Sequence, residues 1–292
     1  MANEIEKVNT IAITDIAKFN TRTDDNIEKL NSLEFVGVVD PLFAGTRAVL
    51  GGGQDGTSSE TPINVIQYKT VTTDGNTSDF GDLQSARFGL KGSGSNITLG
   101  IFAGGKTSSS NNVTDTDKIT VATTGSEADF ADLGVGARMG GAGGASNGTL
   151  LFCCGGRAAS GRIDSKEYFT IASASTGTDA GDLDKAKSGI AASNGNSKFL
   201  IAGGYDGGSG NEDVIEYHTF STSADSSSTG TLGATDQEGY MISSVARAVY
   251  FRGNSSSAVM EFMTVASEGN ASSFGDATVA RASMSGWSDG TR

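Results

Sequence analysis

The segments TSDFGDL (77–83), EADFADL (127–133) and GTDAGDL (177–183) recur at intervals of fifty residues, and SSFGDAT (272–278) is a further copy. A period this long means one supersecondary unit repeated, each copy unable to bury its apolar face alone. Other landmarks keep step: Tyr68, Lys118, Tyr168, Tyr217 and Phe262 are separated by 50, 50, 49 and 45 residues. Two residues beyond them stand Thr70, Thr120, Thr170, Thr219 and Thr264, threonine every time and repeat-structural in role. Val71, Val121, Ile171, Phe220 and Val265 come next, always apolar. A basic residue follows four of the acidic motifs, as Arg87, Arg138, Lys187 and Arg281. The remaining copy is the most eroded and reads Gly230-Thr231-Leu232.

Each unit also holds an apolar run that ends in glycine: RAVLGGG (47–53), TLGIFAGGK (98–106), TLLFCCGGR (149–157), KFLIAGGYD (198–206) and RAVYFRGN (247–254). Short runs of this kind between glycine turns read as strands buried on both faces. VIQYKTVTT (65–73) and DVIEYHTFS (213–221) alternate β-branched and aromatic residues with polar ones and read as strands too. A weaker, glycine-rich strand is expected after each basic residue, as in ARFGLKGSG (86–94). The 42 glycines among 292 residues serve these turns, and only 2 prolines interrupt the ladders. No amphipathic helical pattern follows residue 40.

Three or four short strands per fifty residues predict an all-β, five-bladed β-propeller over residues 41–292. Its strands are lettered a (after the acidic motif), b (ending in Gly-Gly), c (ending near the threonine) and d (the acidic motif). Residues 41–83 supply b, c and d of a first blade. ARASMSGWSDGTR (280–292) supplies a last strand a that would complete that blade and close the ring. An elongated β-solenoid is the alternative, but it gives no reason to stop at strand a.

Residues 1–40 follow a different period of eleven. EIEKVNT (4–10), DIAKFNT (15–21) and NIEKLNS (26–32) align without gaps. The apolar pairs Ile5/Val8, Ile16/Phe19 and Ile27/Leu30 are spaced i,i+3, and Lys7, Lys18 and Lys29 hold one position. Asn followed by Thr or Ser suits a turn better than a helix interior. The expectation is therefore single helical turns separated by breaks, with a continuous helix as competitor because eleven residues make three turns. Two or three apolar side chains per copy are too few for an independent core. These nine residues are thus expected to dock the arm on copies of itself or on a larger assembly.

Gly203-Gly204 closing an apolar strand, Tyr217, Phe80 and Arg87 together resemble the kelch family over roughly residues 41–292. Phe80, Phe130, Ala180 and Phe274 stand where that family has Trp, so the chain is kelch-like rather than standard. The IEKVN-type arm joined to kelch-like units resembles structural proteins of tailed bacteriophages, especially marine and cyanobacterial ones. The resemblance implies a virion component, a tail or tail-fibre appendage docked by its N-terminus, assembled in the host cytoplasm. Its implied partners are other tail or capsid proteins, further copies of itself and host surface glycans. A capsid decoration and a polysaccharide-binding or -hydrolysing module are the alternatives.

Charge excludes some partners. Twenty-one Lys and Arg against 34 Asp and Glu give a net charge of −13, which disfavours nucleic acid. No apolar run is long enough to span a bilayer, and MANEIEKVNT is not a secretory signal, so release by a route other than secretion is expected. Cys153 and Cys154 are adjacent and read as small apolar residues in a buried strand.

Apparent catalytic motifs follow the repeat rather than break it. Residues 100–107 match GxxxxGK[ST], but they form one of the Gly-Gly strand ends, with Gln54, Arg157 and Tyr205 at the place of Lys106 in other copies. Asp79-Phe80-Gly81 resembles a kinase motif and returns as Asp129-Phe130-Ala131. Asp82, Asp132 and Asp182 are expected to cap turns, with calcium a weaker reading. His218, the single histidine, cannot build the two-histidine copper site of galactose oxidase and reads as structural or surface. Trp287 reads as core packing. No enzymatic activity, cofactor or metal is expected. The loops at 54–62, 107–116 and 205–213 differ most and are the candidate binding surface.

Overall fold

The computed structural model describes residues 46–281, apart from 56–60, 91, 109–110, 135–142, 245, 254–256 and 268, together with strand segments between Glu4 and Phe35. The described residues contain strands and turns and no helix. The chain divides into two units, Met1–Pro41 and Leu42–Arg292.

The second unit is a five-bladed β-propeller built from five antiparallel meanders. Blade 1 has three described strands: b Arg47–Gly51, c Val65–Thr70 and d Ser78–Asp82. The other four are four-stranded in the order a-b-c-d. Blade 2 comprises Gly94–Ser95, Leu99–Ala103, Asp115–Thr120 and Ala128–Asp132. Blade 3 comprises Gly143–Ser146, Leu150–Ala158, Gly161–Thr170 and Thr178–Asp182. Blade 4 comprises Ala191–Ala192, Lys198–Ala202, Glu212–Thr219 and Ser227–Asp236. Blade 5 comprises Tyr240–Ser243, Arg247–Phe251, Ser257–Thr264 and Ser272–Arg281.

The a strands of blades 2 to 5 touch in succession and form the inner wall. They are shorter and later than expected; in blade 2 only Gly94–Ser95 pairs, at the end of the run 86–94. A belt of hydrogen bonds joins their ends: Ser146 Oγ donates to Ser95 O (3.0 Å), Ser146 N to Asn194 Oδ1 (2.9 Å), and Asn194 N to Ser243 Oγ (2.8 Å). Ala280 and Arg281 belong to strand d of blade 5 rather than to the expected closing strand. Residues 282–292, with Trp287, lie outside the described residues.

The core is divided among the seams between blades. Ile66, Phe80 and Leu83 of blade 1 meet Phe102 and Ile119 of blade 2. Ile101 and Phe130 meet Leu151 and Phe169. Phe152 and Ala180 meet Phe199 and Phe220, and Leu200 and Leu232 meet Tyr250 and Met263. Every inner sheet therefore has two buried faces, which is why the b strands are continuously apolar.

The acidic motif forms strand d as lettered, and a β-bulge interrupts its alternation. Phe80 and Leu83 are both buried although three residues apart, a spacing that strict alternation forbids. The register slips between Asp79 and Gly81, and Gly81 (φ 148°) absorbs the extra residue, so Asp79 and Asp82 both stay in water. Exposed aspartates on these outer strands oppose edge-to-edge aggregation. Asp82, Asp132 and Asp182 each end a strand d rather than capping a turn, and their carbonyls accept Glu127 N, Gly177 N and Ser226 N of the next blade.

In the first unit the expected helical turns are replaced by short strands. Lys7–Val8 pairs with Ile11–Ala12, Lys18–Phe19 with Arg22–Thr23, and Lys29–Leu30 with Leu33–Phe35, all antiparallel. Glu4–Ile5 runs parallel to Leu33–Phe35. Of the expected docking residues, Ile5, Lys7, Val8, Lys18, Phe19, Lys29 and Leu30 lie in these strands, and Ile16 and Ile27 lie outside the described residues.

Candidate functional site

Four buried carboxylates of the propeller join its blades. Asp117, Glu167, Glu216 and Glu261 sit one residue before the landmark position in strand c, and all four are buried. Each carboxylate reaches back to the preceding blade and accepts the backbone N–H that follows its acidic motif. Asp117 takes Gln84, Glu167 takes Gly134 (2.5 Å), Glu216 takes Asp184 (3.0 Å) and Glu261 takes Gly233 (2.7 Å). The basic residue after the motif neutralises the same carboxylate: Arg87 donates to Asp117 and Lys187 to Glu216, all four side chains fully buried. Burial pushes the Asp117 and Glu216 carboxyls up despite these cations. Arg138 lies outside the described residues.

Blade 5 solves the same problem with different residues. Asp236 occupies the place of Lys187 and accepts the Tyr250 hydroxyl (2.8 Å) and Gly253 N (2.9 Å). Burial raises the Tyr250 phenol well above its ordinary value. The cation moves to Arg252, at the first position of the Gly-Gly pair, whose Nε donates to Glu261 (2.9 Å). Gly52, Gly104, Gly155 and Gly203 hold that position in the other blades with φ between 55° and 67°, a left-handed conformation that disfavours side chains.

Blade 3 carries Lys166 where other copies have Ile66, Thr116, Ile215 and Met260. It is fully buried opposite Cys154, its Nζ donates to Asp182 O (2.5 Å), and burial lowers its pKa. His218 is buried between Phe152 and Phe199, with ring centroids 5.0 and 5.4 Å away. Its Nε2 lies 3.1 Å from Thr222 O, and burial, reinforced by the charge of Lys166, lowers its pKa to about 4. It is therefore a neutral core residue. Cys153 and Cys154 are buried thiols in strand b.

The five threonines each close a strand c. The carbonyls of Thr70, Thr120, Thr170 and Thr219 accept the N–H three residues on, starting the turn toward strand d. The apolar follower returns a backbone bond to the start of strand b, as in Val71 N to Thr46 O (2.9 Å).

One station repeats in backbone but not in side chain: the residue after Gly-Gly. Gln54, Lys106, Arg157 and Tyr205 occupy it, and each pairs across its b–c loop, with Pro62, Asn112, Arg162 and Asn211. These loops project from the blade end where b finishes and c begins. Lys106 opens a strand, Lys106–Ser108, and no helix follows it, so the phosphate-binding match is a strand end. Its Nζ lies 4.5 Å from the Phe88 ring centroid. The guanidinium of Arg162 lies 4.2 Å above the Tyr205 ring, and Asn112 Nδ2 donates to Arg157 O (3.0 Å). The loops of blades 2, 3 and 4 thus form one continuous arc. Two of the expected binding loops, 107–116 and 205–213, belong to it. Its key side chain, Arg162, was not singled out from sequence; the unequal residues after Gly-Gly were the available signal.

Among the described residues, no group of three or more His, Cys, Asp or Glu side chains is placed to hold a metal ion. No protein-family model matches the chain, and no protein of curated function is detectably similar to it in sequence.

Proposed function

We propose that this chain is a non-catalytic virion protein of a tailed bacteriophage, a tail or tail-fibre appendage held by its N-terminal arm. The propeller is its outward module and meets host surface glycans or neighbouring virion proteins. One observation carries the reading. The buried acids Asp117, Glu167, Glu216 and Glu261 are spent on blade-to-blade contacts, while the side chains that differ between copies share one loop face. A rigid scaffold with a variable face suits recognition. The resemblance of the arm and the kelch-like units to phage structural proteins supports the virion assignment, and Ile5, Lys7, Val8, Lys18, Phe19, Lys29 and Leu30 are the residues proposed to dock it.

Complementing a phage that lacks this protein with a chain missing residues 1–40 tests the reading. The expected result is a folded propeller absent from purified particles. Normal incorporation of that truncation overturns arm docking, and gold label on the head instead of the tail replaces an appendage with a capsid decoration.

A further inference from the structure

The arc over blades 2 to 4 brings three cations together, Lys106, Arg157 and Arg162, beside loop acids that include Asp115 and Asp206. Lys106, Arg157 and Arg162 form no ion pair with any described residue, in a protein of net charge −13. In the interior, by contrast, Arg87, Lys187 and Arg252 all meet carboxylates. Arg162 is the best prepared of the three. Its guanidinium carbon lies 4.2 Å from the centre of the Tyr205 ring, a cation–π contact that holds it at the loop face. Its Nε–H is shielded from solvent and has no hydrogen-bond partner among the described residues. A planar cation held by a ring contact, with donors left over, matches a carboxylate. Arg157 faces Arg162 across the same hairpin, and Lys106 lies on the next blade, joined to it through Asn112.

The geometry points to a docking surface for an acidic polysaccharide, a sugar polymer bearing uronate carboxylates, with Arg162 and Arg157 taking carboxylates and Lys106 extending the contact to blade 2. Cations on adjacent blades suit a polymer whose charges recur along its length. A polymer with one carboxylate per sugar carries fewer charges per unit length than duplex nucleic acid, and so suffers less repulsion from the −13 background. The inference deepens the host-surface reading above and rests on it for its biological setting.

The test uses the full chain, polygalacturonate as probe, dextran as the neutral polymer and a double-stranded oligonucleotide as the dense polyanion. Binding to polygalacturonate, none to dextran, at least tenfold weakening by Arg157→Ser with Arg162→Ser, and release by added salt are expected. Lys106→Ser, at a half-buried strand start, is the second variant and weakens binding about threefold, so a misfolded double variant leaves the proposal testable. No binding to polygalacturonate, binding unchanged in a folded variant, or tighter binding to the oligonucleotide overturns it. Particle incorporation is read separately, so failure here leaves arm docking standing, and failure of arm docking leaves this result standing.

Discussion

The Glu216 carboxylate accepts the backbone N–H of Asp184 at 3.0 Å, across the boundary between blades 3 and 4. The same carboxylate holds Lys187 and takes the Ser226 hydroxyl, so one buried acid satisfies two chain segments and a cation. Glu216→Ala takes the fully buried acid from Lys187 and leaves it with the partly exposed Asp184 (2.9 Å). Removing one partner of a buried pair costs roughly 3–5 kcal/mol. Glu261→Ala is expected to cost less, about 1–2 kcal/mol, because Arg252 is 18% exposed and can reach water. Urea titration of both variants checks the order; equal losses, or a loss under about 1 kcal/mol for Glu216→Ala, would contradict the clamp.

Gly203 is held at φ +67°, and a Cβ there would stand 2.6 Å from the Tyr250 hydroxyl and 2.9 Å from Asp236 O. Gly203→Ala therefore combines backbone strain with displacement of the Tyr250–Asp236 bond and should cost about 2–3 kcal/mol. Gly208 has open space and no left-handed φ, so Gly208→Ala should be neutral or slightly stabilising. Thermal melts of the two variants separate a built-in glycine from an interchangeable one. A Gly203→Ala melt equal to that of Gly208→Ala defeats this assignment.

The repeat, the strand-rich blades and the five threonine positions were legible because they recur in fixed order along the chain. The clamp was legible in principle: Asp117, Glu167, Glu216 and Glu261 are spaced 50, 49 and 45 residues, matching the aromatic landmarks. A single acid inside a strand reads as a solvated face, and only the neighbouring blade reveals its partner. The bulge in strand d was not legible, because it puts Phe80 and Leu83 on one side and erases the alternation that marks strands. The arm misled for the opposite reason. Strands of two or three residues are too short to show a period, so the i,i+3 spacing of Ile5 and Val8 looked helical. The side chains after Gly-Gly were visibly unequal, but that Lys106, Arg157 and Tyr205 share one arc is tertiary information.

His218 gives the fold a pH dependence with a definite sign. Its folded pKa of about 4 lies below its ordinary 6.5, so the unfolded chain binds the extra proton between those values. Its contribution is complete above pH 6.5, is lost as pH falls, and is exhausted below about 4. The loss approaches about 3 kcal/mol. Asp117 and Glu216, shifted up by burial, act in the opposite sense. The difference between the native chain and His218→Phe isolates the histidine, since Phe suits the ring cluster of Phe152, Phe199 and Phe220. Parallel stability curves for the two from pH 7 to 4 would remove the assignment.

Two apolar side chains mark where the ring should close. Leu50 is 52% exposed, whereas its counterparts Phe102, Cys153, Ile201 and Tyr250 are buried in their seams. Phe274 is 46% exposed, whereas Phe80, Phe130 and Ala180 in the same place are buried. They lie on blades 1 and 5, and strand b of blade 1 is an edge of a three-stranded sheet among the described residues. Residues 282–292 have the length of a strand a and carry Met284 and Trp287. Supplying that strand would pair the open side of Arg47–Gly51 and cover Leu50. Deleting 282–292 should therefore raise hydrogen exchange at Arg47–Gly51 to the rate of exposed backbone, while the clamped seams between blades 2 and 5 keep their protection. Unchanged protection at Arg47–Gly51 after the deletion would assign closure to another segment of the chain.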